Sequence, residues 1–193
     1  VTEAVWLATV GTKLTSGCEP WHITCLDIIL HHEGGFVDHP KDPGGATNKG
    51  VTLKTYREFL KTDVTVEELK DIPDEHLESL YKEKFWNKLS ADEIPNGLDL
   101  ALFDWAVNSG FTRPAKALQN VLSAVADGYI GPNTIKSLDN FEGDIQGLIN
   151  YICDEREEFY HSLSTFETFG KGWLRRTSET RERALEMYFE EDE

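Results

Sequence analysis

One helix constrains the fold of this chain more than any other sequence feature. Pro95 precedes the segment LDLALFDWAVNSG, which ends at Gly110 and is apolar on nearly every face. A helix at the surface of a protein needs only an apolar stripe, whereas a helix that is apolar all round must be enclosed by other elements. The sequence therefore predicts a helical core with this segment at its centre.

Most of the remaining chain also carries helical signals. Apolar residues recur at helical spacing in several segments, including 144–163 and 173–189. The clearest helix starts are Thr52, Thr65 with Glu68 in a capping-box pattern, and Pro132 directly after Gly131. Short strands fit only between residues 36 and 52. We expect a mainly α protein of the α+β kind, in which a small front lobe carries a short β or irregular loop and a helical lobe lies behind it.

Composition and charge exclude several classes of partner. The chain of 193 residues has a net charge of −16, so we expect no binding to nucleic acid. No apolar run approaches the ~20 residues that span a membrane, so we expect no membrane span in this chain. We also expect a monomer. The acidic C-terminal segment EMYFEEDE could bind a basic partner. Because the chain begins at Val1 rather than Met, we also expect that an upstream segment has been removed.

The cysteines are compatible with two states. Cys18 and Cys25 are close enough in sequence to form a disulfide, which would leave Cys153 over. Three small buried thiols explain the same residues equally well.

The segment HHEGGFVDHPKDPGGATNKG, residues 31–50, contains the main candidate for chemistry. Glu33 follows Leu26, Ile29 and Leu30 at helical spacing, so its side chain should lie on the same buried face. It also lies in the last turn of a helix, where the helix dipole is negative. Both features disfavour the charged carboxylate, which suits a general acid that must hold a proton. The alternative is an acid that extends into solvent at a helix end.

Two later residues of the same loop could assist Glu33. Glycosidases of the common type need a second group across the scissile bond. Asp42 could stabilise positive charge or activate water, and Thr47 could position that water. Asp42 before Pro43 is also a good turn residue with no chemical role. The glycines of the loop, among them Gly35 and Gly45, leave room for a substrate close to the backbone.

Polar and aromatic residues elsewhere are candidates for substrate binding. Asn108 could line a sugar cleft, and Asp104, one turn earlier, is expected to satisfy the loop backbone near Glu33. Tyr129 lies on the turn DGYIGP and is the first choice for stacking against a sugar ring. The other aromatic candidates, most of them expected in the core, are Trp86, Trp105 and Trp173.

The histidines of the loop do not form a recognisable metal motif. His31 and His32 are adjacent and point to different helical faces, and with His39 they do not match the HExxH spacing. Calcium-loop spacing fails as well, because Pro40 and Lys49 stand where ligand oxygens are needed. We expect no metal site and no cofactor.

Several sequence motifs of the chain resemble those of a known family. The order of Glu33, Asp42 and Thr47 resembles the catalytic arrangement of phage-type lysozymes, although the threonine comes one position early. The longer stretch LHHEGGFVDHPKDPGGATNKGVT resembles glycoside hydrolase family 108, the muramidases of phage endolysins and of the secretion-activator type. The segments LALFDWAVNSG, AKALQNVLSAVADGYIGPNT and FGKGWLRR resemble the peptidoglycan-associated region of that family. The resemblance covers about residues 22–180.

This resemblance implies a lysozyme-like fold and a lysozyme activity. The expected reaction is hydrolysis of the β-1,4 bond between N-acetylmuramic acid and N-acetylglucosamine in bacterial peptidoglycan, with Glu33 as the acid. The resemblance also implies that the protein acts in the bacterial periplasm or cell wall, either as a phage endolysin or as an exported bacterial protein. Two alternatives stay open: a lytic transglycosylase that uses the same glutamate, and a non-catalytic wall-binding or secretion-linked protein.

The expected organisation has two main regions with one core. A catalytic region covers 21–95, and a peptidoglycan-associated helical region that shares its core covers 96–182. The segment 1–20 is unassigned, and 183–193 is an acidic tail.

Overall fold

The fold is mainly α-helical, as the sequence predicts. The structure is a computed structural model that describes residues 21–38 and 45–190. Within these residues there are nine α-helices and one two-stranded sheet. The helices are α1 Trp21–His32, α2 Leu53–Leu60, α3 Val66–Lys70, α4 Asp74–Tyr81, α5 Leu98–Ser109, α6 Thr112–Val121, α7 Pro132–Asp139, α8 Ile145–His161 and α9 Phe166–Glu190. The strands are β1 Thr47–Asn48 and β2 Val51–Thr52.

Helix α5 lies at the centre of the molecule. Residues 98–106 are all buried, and the helix packs against α1, α6, α8 and α9. At its start, a Cβ on Gly97 would lie 2.1 Å from the carbonyl oxygen of Ala184, so α5 and α9 approach with no room for a side chain. Asn96 Nδ2 also donates to the Met187 carbonyl at 3.0 Å. The start of α5 is therefore tied to the C-terminal part of α9.

The predicted helix starts are confirmed. Thr52 Oγ1 accepts from the Thr55 amide at 3.1 Å at the start of α2. Thr65 and Glu68 form the capping box of α3, and Pro132 opens α7. These helix starts could be predicted because hydrogen bonds between residues close in sequence are enough to determine where a helix begins.

One helix start differs from the prediction, and one helix ends in irregular turns. Helix α9 begins at Phe166, seven residues before the predicted start at Trp173. Gly170 is buried and lies directly under the Phe166 ring, so packing outweighs the low helix propensity of glycine. Helix α4 ends at Tyr81. A π-helical turn, Lys82–Trp86, follows it directly, and then come two short 3-10 turns, Asn87–Leu89 and Ala91–Glu93.

A tight hairpin forms the β element of the front lobe. Strands β1 and β2 are antiparallel and are joined by Lys49 and Gly50, whose φ angles are 46° and 74°. Two consecutive left-handed residues are typical of a two-residue hairpin turn. Val37 forms a bridge to Thr47, and Asn48 Nδ2 donates to two carbonyls at the end of α3 at 3.0 and 2.9 Å. The short strands predicted within 36–52 are thus present and anchored.

The ends of the chain and the cysteines are only partly described. Cys25 and Cys153 are buried free thiols, and Cys18 lies outside the described residues. The segment 1–20 also lies outside them. Residues 183–190, assigned from sequence to an acidic tail, continue α9 and bury Ala184 and Met187. Over the described part of the chain, none of the helices has both the length and the apolar character needed to cross a membrane.

Candidate active site

Glu33 extends α1 by one residue and does not point freely into solvent. Its amide donates to the carbonyl of the fully buried Ile29 at 3.1 Å, which continues the hydrogen bonding of the helix. Its side chain is 19% exposed. The prediction that Glu33 follows the buried face is confirmed, and the small exposed part leaves the carboxylate within reach of a ligand.

The hairpin turn packs against the Glu33 carboxylate. A Cβ on Gly50 would lie 2.8 Å from Glu33 Oε2 and 2.5 Å from Tyr81 Oη. Tyr81 Oη donates to the Lys49 carbonyl at 2.9 Å, which holds the turn in place. Burial, and then the negative charge of Glu33, raise the pKa of Tyr81, so its hydroxyl stays protonated and remains a donor. Only glycine fits at position 50.

Arg176 of α9 reaches Glu33 from the opposite end of the chain. Arg176 Nη1 lies 2.9 Å from Glu33 Oε1. No pattern in the sequence predicts this contact, because it joins the end of α1 to α9. The only local signal was the segment FGKGWLRR, which does not say where its arginines point.

Asp104 binds the other side of Arg176. Arg176 Nε lies 3.0 Å and Nη2 2.7 Å from Asp104 Oδ1. Asp104 Oδ2 accepts from Arg156 Nη1 at 2.6 Å and from Thr180 Oγ1 at 3.1 Å. Burial alone would raise the pKa of Asp104, but Arg156 and Arg176 outweigh it and hold that pKa well below its ordinary value. The prediction that Asp104 satisfies the loop backbone is wrong, because side chains from α8 and α9 occupy both of its oxygens.

These contacts join four charged side chains into one balanced cluster. Glu33 and Asp104 carry two negative charges, and Arg156 and Arg176 carry two positive charges. Buried charges are tolerated when they are paired and hydrogen-bonded, and each of these four side chains has an oppositely charged partner within 2.9 Å. The carboxylate of Glu33 is therefore fixed from the interior of the protein and not only by its own helix.

His32 lies beside this cluster, and in the part of the chain that the structure describes no group of three or more His, Cys, Asp or Glu side chains could hold a metal ion. Its Nδ1 is 3.6 Å from Glu179 Oε2. Burial, and next the charge of Arg176, lower the pKa of His32, so the ring is neutral near pH 7. His39 lies outside the described residues.

Asn108 is connected to the same cluster through one tyrosine. Its Oδ1 accepts from Tyr160 Oη at 2.7 Å, and Tyr160 Oη accepts from Arg156 Nε at 2.9 Å. Asn108 is otherwise exposed at the end of α5. Its place beside the cluster is compatible with the predicted role in substrate binding, which stays a prediction.

The aromatic candidates divide into core and surface residues. Trp86 and Trp105 are buried, so neither can stack against a sugar. Trp173 is half-buried and stacks on Tyr160. Tyr129 is 62% exposed on the turn before α7, where Gln119 Nε2 donates to its carbonyl at 2.9 Å. Within the described residues no contact links Tyr129 to the charged cluster.

The remaining loop candidates are Gly35, Gly45, Thr47 and Asp42. Among the described residues, no atom lies within 4 Å of a Cβ built on Gly35 or Gly45, and Gly45 has a φ of 68° that favours glycine. Thr47 is half-buried in β1, and its Oγ1 donates to the Gly45 carbonyl at 3.3 Å. Asp42 lies outside the described residues, so the catalytic roles of Asp42 and Thr47 stay predictions.

Comparisons with known proteins identify the family of this chain. Residues 26–110 match the family model "Glycosyl hydrolase 108", and residues 113–178 match "Predicted Peptidoglycan domain". A solved structure, "Structure of Brucella abortus SagA", is 40% identical, with a TM-score of 0.75, and the match covers 86% of this chain and 95% of that chain. No curated protein matches the chain. The chain therefore belongs to glycosyl hydrolase family 108, and it is a peptidoglycan hydrolase with a lysozyme-like, mainly α fold.

Proposed function

We propose that this protein is an N-acetylmuramidase that cleaves the β-1,4 bond between N-acetylmuramic acid and N-acetylglucosamine, with Glu33 as the general acid. The observation that carries the proposal is the setting of Glu33. Its carboxylate lies against the hairpin turn at Gly50 and forms an ion pair with Arg176, yet part of it is still exposed. An acid that is held this firmly and still reaches solvent suits proton transfer to a bound ligand.

The proposed first step is proton transfer from Glu33 to the glycosidic oxygen. As the bond to the leaving sugar breaks, positive charge develops on the muramic acid ring. Asp104 holds most of the donors of Arg176, so the guanidinium positions Glu33 through Nη1 alone.

The proposed second group is Asp42, assisted by Thr47. Asp42 stabilises the developing positive charge or activates a water molecule, and Thr47 positions that water. Asp42→Asn should lower the rate severely. An unchanged rate would assign Asp42 to turn structure alone.

The test of the proposal is product analysis on purified peptidoglycan. Glu33→Gln should abolish the release of reducing muramic acid ends and leave the circular dichroism spectrum and melting temperature close to those of the wild type. Glu179→Gln is a matched control, because Glu179 is a nearby carboxylate that contacts His32 instead of the cluster. Cleavage by Glu33→Gln would refute the assignment, and anhydro-muramic ends from the wild type would indicate a lytic transglycosylase.

We also propose that the two matched regions form one structural unit. Glu33 belongs to the first region and Arg176 to the second, and their side chains are in contact. The peptidoglycan-associated region then completes the catalytic site, in addition to any binding of its own. The proposed place of action is the periplasm or the cell wall.

A further inference from the structure

Three aromatic rings stack from the core to the surface beside the charged cluster. The ring of Trp173 lies 5.1 Å from that of Tyr160, with an angle of 30° between the planes. The ring of Phe169 lies 5.8 Å from that of Trp173, at 34°. Tyr160 is 1% exposed, whereas Phe169 is 54% exposed. The stack thus has a buried base and an open end.

The base of this stack is held rigidly. The Tyr160 hydroxyl accepts from Arg156 and donates to Asn108, so the side chain cannot move to another position without breaking two hydrogen bonds. Trp173 is packed between Tyr160 and Phe169. A ligand that lies on a ring already held in place loses less conformational entropy on binding than one that must order a mobile side chain.

The stack lies on the same face of α9 as Arg176. Phe169, Trp173 and Arg176 follow each other at spacings of four and three residues, which places them on one side of a helix. At 1.5 Å per residue, Trp173 lies about 4.5 Å and Phe169 about 10 Å along the helix axis from Arg176. Because Arg176 contacts Glu33, the exposed ring of Phe169 lies on the same side of α9 as the site, but farther from the bond that reacts.

Polar groups next to the stack suit an N-acetylated, anionic glycan. Asn108 Oδ1 accepts from the Tyr160 hydroxyl at 2.7 Å and from the Ser109 hydroxyl at 3.1 Å, and within the described residues its Nδ2 group has no hydrogen-bond partner. Nδ2 can therefore donate to an acetamide carbonyl or a sugar hydroxyl. Arg113 Nη1 donates to the carbonyl of the neighbouring Ser109 at 2.8 Å, which places a cation close to Asn108 in a chain of otherwise negative net charge.

We propose that Phe169, Trp173 and Asn108 form a glycan subsite that binds the peptidoglycan strand beyond the bond that is cleaved. The apolar face of a sugar ring lies on Phe169, supported by Trp173, and Asn108 Nδ2 donates to the same strand. Arg113 attracts the carboxylates of the strand. The subsite rests on the proposed function, because its ligand is the substrate of that reaction.

The test separates binding from catalysis. Soluble glycan strands freed of their peptides are titrated calorimetrically into the Glu33→Gln protein, which should bind them without turnover. Phe169→Ala in this background should weaken binding about 3- to 10-fold, the worth of one aromatic contact. Phe169→Tyr should bind like the parent. Phe189→Ala is the matched control, because Phe189 is 50% exposed near the far end of the same helix.

In the catalytically active protein, Phe169→Ala should raise KM for peptidoglycan by a similar factor and leave kcat within about twofold, because the ring acts on binding and not on the reacting bond. Unchanged binding by Phe169→Ala, an equal loss in Phe189→Ala, or no binding by the folded Glu33→Gln parent would each overturn the subsite. Dimerisation of the wild type that Phe169→Ala abolishes, with glycan binding unchanged, would assign the ring to a contact between copies. Failure of the proposed function is a separate result, namely cleavage by Glu33→Gln.

Discussion

Replacement of Asp104 by asparagine tests whether the charged cluster holds the helical lobe together. Asp104 is fully buried and accepts from Arg156, Arg176 and Thr180. Asparagine keeps the shape of the side chain but removes the charge and turns one acceptor into a donor. Arg156, which is 1% exposed, would then lose its ion pair and keep the hydrogen bond to Tyr160.

The expected loss of stability is large. Breaking a buried ion pair by removing one partner costs about 3–5 kcal/mol. For a protein of this size, 1 kcal/mol corresponds to about 2–4 °C in melting temperature, so Asp104→Asn should lower Tm by about 6–20 °C. Asp154→Asn is the matched control. Asp154 pairs with Arg181 at 2.7 Å but is 62% exposed, so its replacement should cost about 1 kcal/mol or less.

The difference in stability between wild type and variant should depend on pH with a defined sign. Because the arginines hold the pKa of Asp104 below its value in the unfolded chain, about 3.9, the carboxylate contributes stability above that pH. This contribution is lost as the pH falls towards the lower pKa of the folded state.

Urea unfolding at several pH values measures this dependence. The free-energy difference between wild type and Asp104→Asn should be constant above about pH 5 and should narrow below about pH 4. A difference under about 1 kcal/mol at pH 7, or a difference that does not narrow in acid, would refute the reasoning.

Three further replacements probe how Glu33 is held. Gly50→Ala should lower the stability by about 1–2 kcal/mol in urea unfolding, because alanine is strained in the left-handed conformation of this turn. It should also remove most of the activity, because the added Cβ would push the side chains of Glu33 and Tyr81 away from the turn. An active Gly50→Ala protein would contradict this packing. Arg176→Gln should lower kcat about 10- to 100-fold, since a misplaced acid transfers its proton poorly, with little change in KM; a change in KM alone would assign Arg176 to binding. Asn48→Ala should lower the stability by about 1–3 kcal/mol, because the buried carbonyl of Leu69 and the part-buried carbonyl of Lys70 lose their donor. A melting temperature equal to that of the wild type would show that water replaces this donor.

Local patterns in the sequence determined the class of fold and the position of the acid. The all-round apolar character of residues 98–106 places α5 at the centre, because such a helix has no face that favours water. Thr52 and Thr65 start helices through hydrogen bonds that reach only three residues. The apolar stripe of α1 likewise placed Glu33 on a buried face. Each of these signals is complete within a few residues, so the sequence alone is enough to read it.

The tertiary structure alone decided which residues surround that acid. Arg176 is 143 residues from Glu33, and Asp104 meets Arg156 and Arg176 only because α5, α8 and α9 pack together. Among the described loop glycines, Gly35 has no neighbour within 4 Å of a built Cβ, whereas Gly50, which local patterns did not single out, lies against Glu33. Contacts between distant segments depend on how helices pack, and no periodicity within one segment carries that information.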